Sequence, residues 1–152
     1  MADWDARFIG LAGHISGWSK DPSSKVGAVL VNDKRQVVGL GYNGFPRGTS
    51  DDPGHYNDRA TKYLRVVHAE VNAVLNATGS TEGPTAYVTH PCCSQCMALL
   101  IQSGVKRVVY KENPNLWDRM GDSLTMALDM ADEAGVEGRA FTWELRRMYY
   151  GK

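Results

Sequence analysis

The sequence predicts an α/β fold, with a central mixed sheet of about five strands flanked by helices and parallel over one half. Two apolar runs around a short polar turn mark an antiparallel hairpin near the start. Beyond it, short apolar strands alternate with helix-period segments, the pattern that buries a parallel sheet under helices. The 152 residues contain no internal repeat, low-complexity tract or linker, which points to one domain spanning 1–152.

Phe8, Ile9, Leu11, Ala12, Ile15 and Trp18 recur at helical spacing, so residues 4–19 read as an amphipathic helix. The Ser19-Lys-Asp-Pro22 segment ends it, because a residue preceding proline disfavours the helical region. Residues 26–31 and 37–42 flank the polar turn 32–36 and form the hairpin. Residues 43–62 are rich in Gly, Pro, Asp and Asn and read as a long structureless binding loop. A helix over 66–77, a strand over 86–90 and a helix over 93–103 follow. A strand over 105–110, a helix over 122–134 and an edge strand over 139–142 complete the reading.

Bulk properties narrow the function classes. Lys plus Arg and Asp plus Glu each total 17, so the formal net charge is zero. A long nucleic-acid footprint or an anionic membrane surface calls for a basic excess, and the chain has none. No apolar run approaches the roughly 20 residues of a membrane span. The acidic start, MADWDARFIG, is unlike a secretory signal. The three cysteines, Cys92, Cys93 and Cys96, crowd into five positions, a poor disulfide framework and a good metal or redox cluster. A reducing, cytoplasmic setting is the expectation.

Two local motifs carry the chemistry. His68-Ala69-Glu70 opens one expected helix, and Cys93-Ser-Gln-Cys96 opens another. Cysteines three apart at a helix start can face one ion, and the positive helix end favours their thiolates. One imidazole makes a third protein ligand, and catalytic zinc sites commonly stop at three to leave a place for water. Glu70, two residues after His68, is then close enough to move a proton. Alone, the Cys-x-x-Cys pair also suits a thioredoxin-like redox site, but such a site has no use for His-x-Glu. Together they match the pattern of zinc-dependent nucleobase deaminases.

With these motifs the sequence resembles the deoxycytidylate (dCMP) deaminase family, within the cytidine deaminase-like superfamily. The resemblance runs from the first helix to about Tyr110. It rests on Ser19-Lys-Asp-Pro22, Val26-Gly-Ala28, Gly41-Tyr-Asn-Gly-Phe-Pro46, Ser50-Asp-Asp52, His68-Ala-Glu-Val-Asn-Ala73, Tyr87-Val-Thr-His90, Cys93-Ser-Gln-Cys96 and Gln102-Ser-Gly104. It implies a three-layer α/β/α cytidine deaminase-like fold and the hydrolysis of dCMP to dUMP and ammonia, supplying dUMP for thymidylate synthesis. It also implies one catalytic Zn2+ on His68, Cys93 and Cys96, with Glu70 moving protons to N3 and the departing amine. The chain departs from the family at Cys92, where proline is usual. Residue 95 is Gln95, so Cys93 and Cys96 keep the ligand register, and Cys92 is left as a buried small residue lining the pocket, or else as an alternative ligand or oxidation-sensitive thiol.

The resemblance extends to binding residues. It places the Ala69 amide on the pyrimidine carbonyl and Asn43 on the sugar, with Lys20, Lys25 and Arg65 as candidates for the 5′-phosphate. Each of these also fits an ordinary turn or solvated charge. Many family members are hexamers activated by dCTP and inhibited by dTTP. Here Gly44, Pro46 and Arg47 resemble the effector loop, Asp51 and Asp52 suit a Mg2+ accompanying a triphosphate, and Arg59 and Lys62 add positive charge. Loop ordering by subunit packing is the other explanation for this stretch.

Cytidine, guanine and tRNA adenine are alternative substrates, and a non-catalytic zinc-stabilised nucleotide sensor is an alternative class. Glu70 speaks against the sensor, since a structural zinc site closes its fourth position with protein. Trp117, Met120 and a terminal cluster of Trp143, Leu145, Met148, Tyr149 and Tyr150 read as core or subunit interface.

Overall fold

A computed structural model describes residues 3–141. Five strands form one sheet in the order β2-β1-β3-β4-β5. β1 (Gly27–Val31) pairs antiparallel with β2 (Val37–Tyr42) and with β3 (Thr85–Val88). β3, β4 (Arg107–Lys111) and β5 (Glu137–Phe141) run parallel. The mixed sheet with a parallel half is the expected one.

Alternation of side chains across β1 and β3 splits the core in two. Val29, Val31, Tyr87, Val109 and Phe141 face α1 (Trp4–Ser16), which presents Phe8, Ile9, Ala12 and Ile15. Ala28, Leu30, Ala86, Val88 and Val108 face the opposite layer. That layer holds α4 (Ala69–Leu75), α5 (Ser94–Gln102) and α6 (Pro114–Glu133). Helices on both faces make the three-layer arrangement. One glycine decides how close that second layer sits. A Cβ on Gly41 would lie 2.4 Å from the Ala73 nitrogen and 2.7 Å from the Ala69 oxygen, so only glycine lets α4 rest directly on β2.

Two expectations need correction. Residues 43–62 are not structureless, because α2 (Pro53–Asn57) and α3 (Arg59–Arg65) form there. Asp52 caps α2 by accepting the Gly54 amide at 2.8 Å, and Pro53 occupies the first turn, where its missing N–H costs nothing. The helix expected over 122–134 begins at Pro114 and bends at Met120, where φ is −130°. Leu116, Trp117 and Met120 do stand at helical spacing after Pro114, but Gly121 and the bend at Met120 separate them from the segment that follows. The terminal aromatic cluster lies outside the described residues.

Candidate active site

Two helix starts converge on one point. His68 is the N-cap of α4, and Cys93 is the N-cap of α5. His68 Nδ1 lies 3.2 Å from Cys96 Sγ and 3.7 Å from Cys93 Sγ. The three ligand atoms all fall within 4.8 Å of one another. A tetrahedral zinc with Zn–S near 2.3 Å and Zn–N near 2.0 Å requires N···S separations of about 3.5 Å. One imidazole and two thiolates at this spacing fit zinc.

The thiols are not equivalent. Cys93 falls to about 4 because the Cys96 thiol and the His68 imidazole hydrogen-bond to it, along with the Cys96 amide at 3.4 Å. Cys96, the donor of that pair, is pushed up. The start of α5 is held in place by α6. Ser123 Oγ accepts the Ser94 amide at 2.9 Å, a support visible only in three dimensions.

Glu70 occupies the first turn of α4 and is 5% exposed. Burial raises its carboxyl above the ordinary value, the direction required of a group that must hold and release a proton near neutrality. The buried Cys92 thiol hydrogen-bonds to that carboxyl, and burial pushes the thiol up. Cys92 is therefore a neutral donor behind the acid and stands outside the ligand trio. Ala69 begins α4, so its N–H is among those without an intrahelical acceptor.

His68, Ala69, Glu70 and Cys93 line a cavity of about 650 Å3. One wall comes from the loop after α1, with Asp21, Ser23, Ser24, Lys25 and Val26, together with Asn43. Another comes from α2 and α3 with Tyr56, Arg59, Lys62 and Tyr63, and a third from α6 with Asn115, Leu116, Arg119 and Met120. Asp21 organises the first wall. Its Oδ1 accepts the amides of Ser23 and Ser24 at 2.9 and 3.2 Å, and its Oδ2 lies 2.7 Å from Lys62 Nζ.

The structure sorts the expected binding residues. Asn43 lines the cavity, but its amide is engaged by the protein: Oδ1 accepts from Val26 N at 2.9 Å, and Nδ2 donates to the Ser24 carbonyl at 2.8 Å. Lys25 lines the cavity and donates to the Ser19 carbonyl. Lys20 pairs with Asp51 at 2.7 Å on the open surface, away from the cavity, and Arg65 is also outside its lining. Gly44, Pro46, Arg47, Asp51 and Asp52 sit outside the cavity as well. Asp51 meets Lys20 and Asp52 caps α2, so each carboxylate has its own partner and the pair gives no support to a magnesium site. Arg59 and Lys62 line the cavity together with His68 and Cys93 of the trio. Sequence reasoning gave no site role to Asp21 and His90, although the Ser19-Lys-Asp-Pro22 and Tyr87-Val-Thr-His90 blocks contain them, nor to Arg119, which lies in no motif. Met120, expected in core or interface, also lines the cavity.

Comparison with known proteins gives a consistent picture. The model of the cytidine and deoxycytidylate deaminase zinc-binding region matches residues 2–112. An uncharacterised deaminase from the luxG 3′ region of Aliivibrio fischeri is 40% identical over 144 residues, covering 94% of this chain and 95% of that protein. The deoxycytidylate deaminase of Mus musculus is 39% identical over 148 residues, covering 92% of this chain and 80% of its own. Among solved structures, the dCMP deaminase of cyanophage S-TIM5 in complex with dCMP and dUMP is similar at a TM-score of 0.72 and 26% identity. That match covers 93% of this chain and 98% of the phage protein.

Proposed function

Because the chain belongs to the cytidine and deoxycytidylate deaminase family, we propose that this hydrolase converts dCMP to dUMP and ammonia, supplying thymidylate synthesis. The observation that carries the reading is the junction of a proton-transfer site and a cationic cavity. His68, Cys93 and Glu70 line the same cavity as Lys25, Arg59, Lys62 and Arg119, and Cys96 stands directly behind, 3.2 Å from His68 Nδ1. Asp21 neutralises Lys62, which leaves Arg59 and Arg119 as the cations best suited to a 5′-monophosphate. The phage relative that binds dCMP and dUMP supports the same substrate.

Zinc, when bound by the trio, supplies Lewis acidity that brings the pKa of a water down to about 7. Glu70 accepts the proton of the water that attacks C4 and delivers it to N3. It then takes the proton of the new C4 hydroxyl and passes it to the 4-amino group, so that the C4–N bond breaks, ammonia leaves and C4 becomes the carbonyl carbon of dUMP. The buried carboxyl holds that proton because desolvation disfavours its charged form. The Ala69 N–H donates to the pyrimidine carbonyl oxygen.

The reading includes regulation by dCTP and dTTP at the 43–52 loop, and assembly into a homo-oligomer of the hexameric kind. Arg47 is exposed there for a phosphate, and Gly48 holds φ at 84°, which favours glycine. Trp18, Tyr63, Leu64 and Leu75 are exposed apolar residues that subunit packing would cover.

A substrate panel on one preparation tests the substrate. Ammonia release and the ultraviolet change from cytosine to uracil should be brisk with dCMP and weak with cytidine and tRNA. Brisk turnover of cytidine or tRNA beside none of dCMP would overturn the assignment. Added dCTP, or dTTP, with magnesium should change the dCMP rate in opposite directions, and light scattering reads the assembly.

A further inference from the structure

His90 lines the cavity, yet nothing in the proton chemistry above uses it. It lies just past β3 and is half-buried. Its Nδ1 is 3.0 Å from the hydroxyl of Thr89. That hydroxyl already accepts the Gly27 amide at 3.0 Å, while the Thr89 amide donates to the Gly27 carbonyl at 3.0 Å. Thr89 is thereby pinned on both sides to the start of β1.

A hydroxyl carries one proton. The Gly27 amide uses Thr89 Oγ1 as an acceptor, and among the described residues no acceptor other than His90 Nδ1 lies within reach of its proton. The arrangement that satisfies every group has Thr89 donating to Nδ1. A neutral imidazole that accepts at Nδ1 carries its proton on Nε2. Burial, with the nearby Lys111 charge, lowers the imidazole below its ordinary value, in keeping with a neutral ring. Nε2–H has no protein partner among the described residues, and the cavity is open to it.

Of the acceptors on dCMP, N3 is served by Glu70 and the carbonyl by Ala69 N–H, and the 4-amino group leaves. The oxygens of the deoxyribose phosphate remain. We propose that His90 is a further substrate-binding residue, donating from Nε2 to an oxygen of the deoxyribose phosphate, with its tautomer set by Thr89. The inference rests on the reading of this cavity as a pyrimidine-nucleotide site and extends it to a residue that reading does not use.

The amide of glutamine can place an N–H where Nε2 stands, whereas asparagine reaches only the Nδ1 position. His90→Phe should raise the KM for dCMP about fivefold to tenfold while kcat stays within about threefold, the loss expected of one neutral hydrogen bond. His90→Gln should restore most of that loss and His90→Asn should not. Thr89→Val, which frees the tautomer, should raise KM in the same direction and add little in the double variant with His90→Phe. In the wild-type zinc enzyme, 15N spectra of the histidines should show His90 protonated at Nε2, and dUMP should shift that signal. Protonation at Nδ1, no response to dUMP, or an unchanged KM in His90→Phe would each overturn the proposal. The spectroscopic arm uses unmutated protein, so it decides even where a variant fails to fold. If the wild type turns over cytidine and not dCMP, the substrate reading fails by itself. A cytidine-induced shift at Nε2 together with no dUMP shift then overturns the phosphate-side role separately.

Discussion

Lys62 Nζ lies 2.7 Å from Oδ2 of Asp21, whose side chain is 0% exposed. The two residues come from segments some forty positions apart, and their pairing closes the cavity wall that precedes β1. Burial pushes the Asp21 carboxyl up, but Lys62 and the amides of Ser23 and Ser24 more than offset this and hold it below 3.8. The Asp21 carboxyl is thus ionised at neutral pH, with Lys62 as its partner.

Lys62→Met should therefore leave an uncompensated buried carboxylate and lower stability by about 3 kcal/mol, roughly 10 °C in Tm. Asp21→Asn in the same chain should recover much of that loss. Calorimetry of the single and double variants measures it. Equal Tm for Lys62→Met and wild type would show that the pair contributes nothing.

Glu70→Gln preserves the shape of the side chain and removes its capacity to carry a proton. Turnover should fall about 10^2- to 10^4-fold while metal analysis still finds zinc on the protein. Activity within a few fold of wild type would remove Glu70 from the proton path.

Cys93→Ser or Cys96→Ser should each lose zinc, whereas Cys92→Ser should retain it. Because the Cys92 thiol hydrogen-bonds to the Glu70 carboxyl, the Cys92 variant should show its effect in turnover rather than in metal content. Retention in Cys93→Ser beside loss in Cys92→Ser would reverse the register.

Arg119 projects from the first half of α6 onto the cavity and has no protein partner among the described residues. Arg119→Ala should raise the KM for dCMP about tenfold, the scale of one partly exposed charge-assisted hydrogen bond. Its effect on cytidine turnover should be small. Equal losses on both substrates would show that Arg119 does not read the phosphate.

Asp5 joins α1 to the sheet through Arg107 (2.6 Å), Tyr87 (2.7 Å) and Arg139 (3.2 Å). Burial pushes its carboxyl up, but the hydrogen bonds from Arg107 and Tyr87 and the charges of Arg107 and Arg139 prevail, holding it below 3.8. A group depressed on folding contributes its full stability above the unfolded value, near pH 4, and loses it as pH falls through the folded value. Asp5→Asn should lower Tm at pH 7, and the gap to wild type should narrow as pH drops below about 4. A gap independent of pH would exclude the linkage.

The metal trio and Glu70 were readable from residue order because each motif is local. His68 and Glu70 are one helix start, and Cys93 and Cys96 are another, so helix geometry alone turns them to a common side. The hairpin and the parallel half of the sheet were readable for the same reason, since strand alternation and turn chemistry act over a few residues. The start of α6 was overlooked although Leu116, Trp117 and Met120 stand at helical spacing after Pro114, because Gly121 separates them from the helix-period segment that follows. α2 was overlooked although Asp52-Pro53 is a helix-start signal, because Gly and Asn nearby read equally well as loop.

Residue order thus dictated the grouping: a His-Cys-Cys trio at zinc-binding spacing, a buried carboxyl beside it and the fold that presents them, all set by short-range backbone and side-chain preferences. The way the cavity is walled belongs to three-dimensional packing. Asp21 meets Lys62, Thr89 meets Gly27 and orients His90, and Arg119 comes to the same space, because β1, β3, α3 and α6 converge there. Contacts of that kind depend on strand order and helix approach, to which no single stretch of sequence responds. This is why Lys62, grouped by the resemblance with an effector loop, is found on the wall of the catalytic cavity.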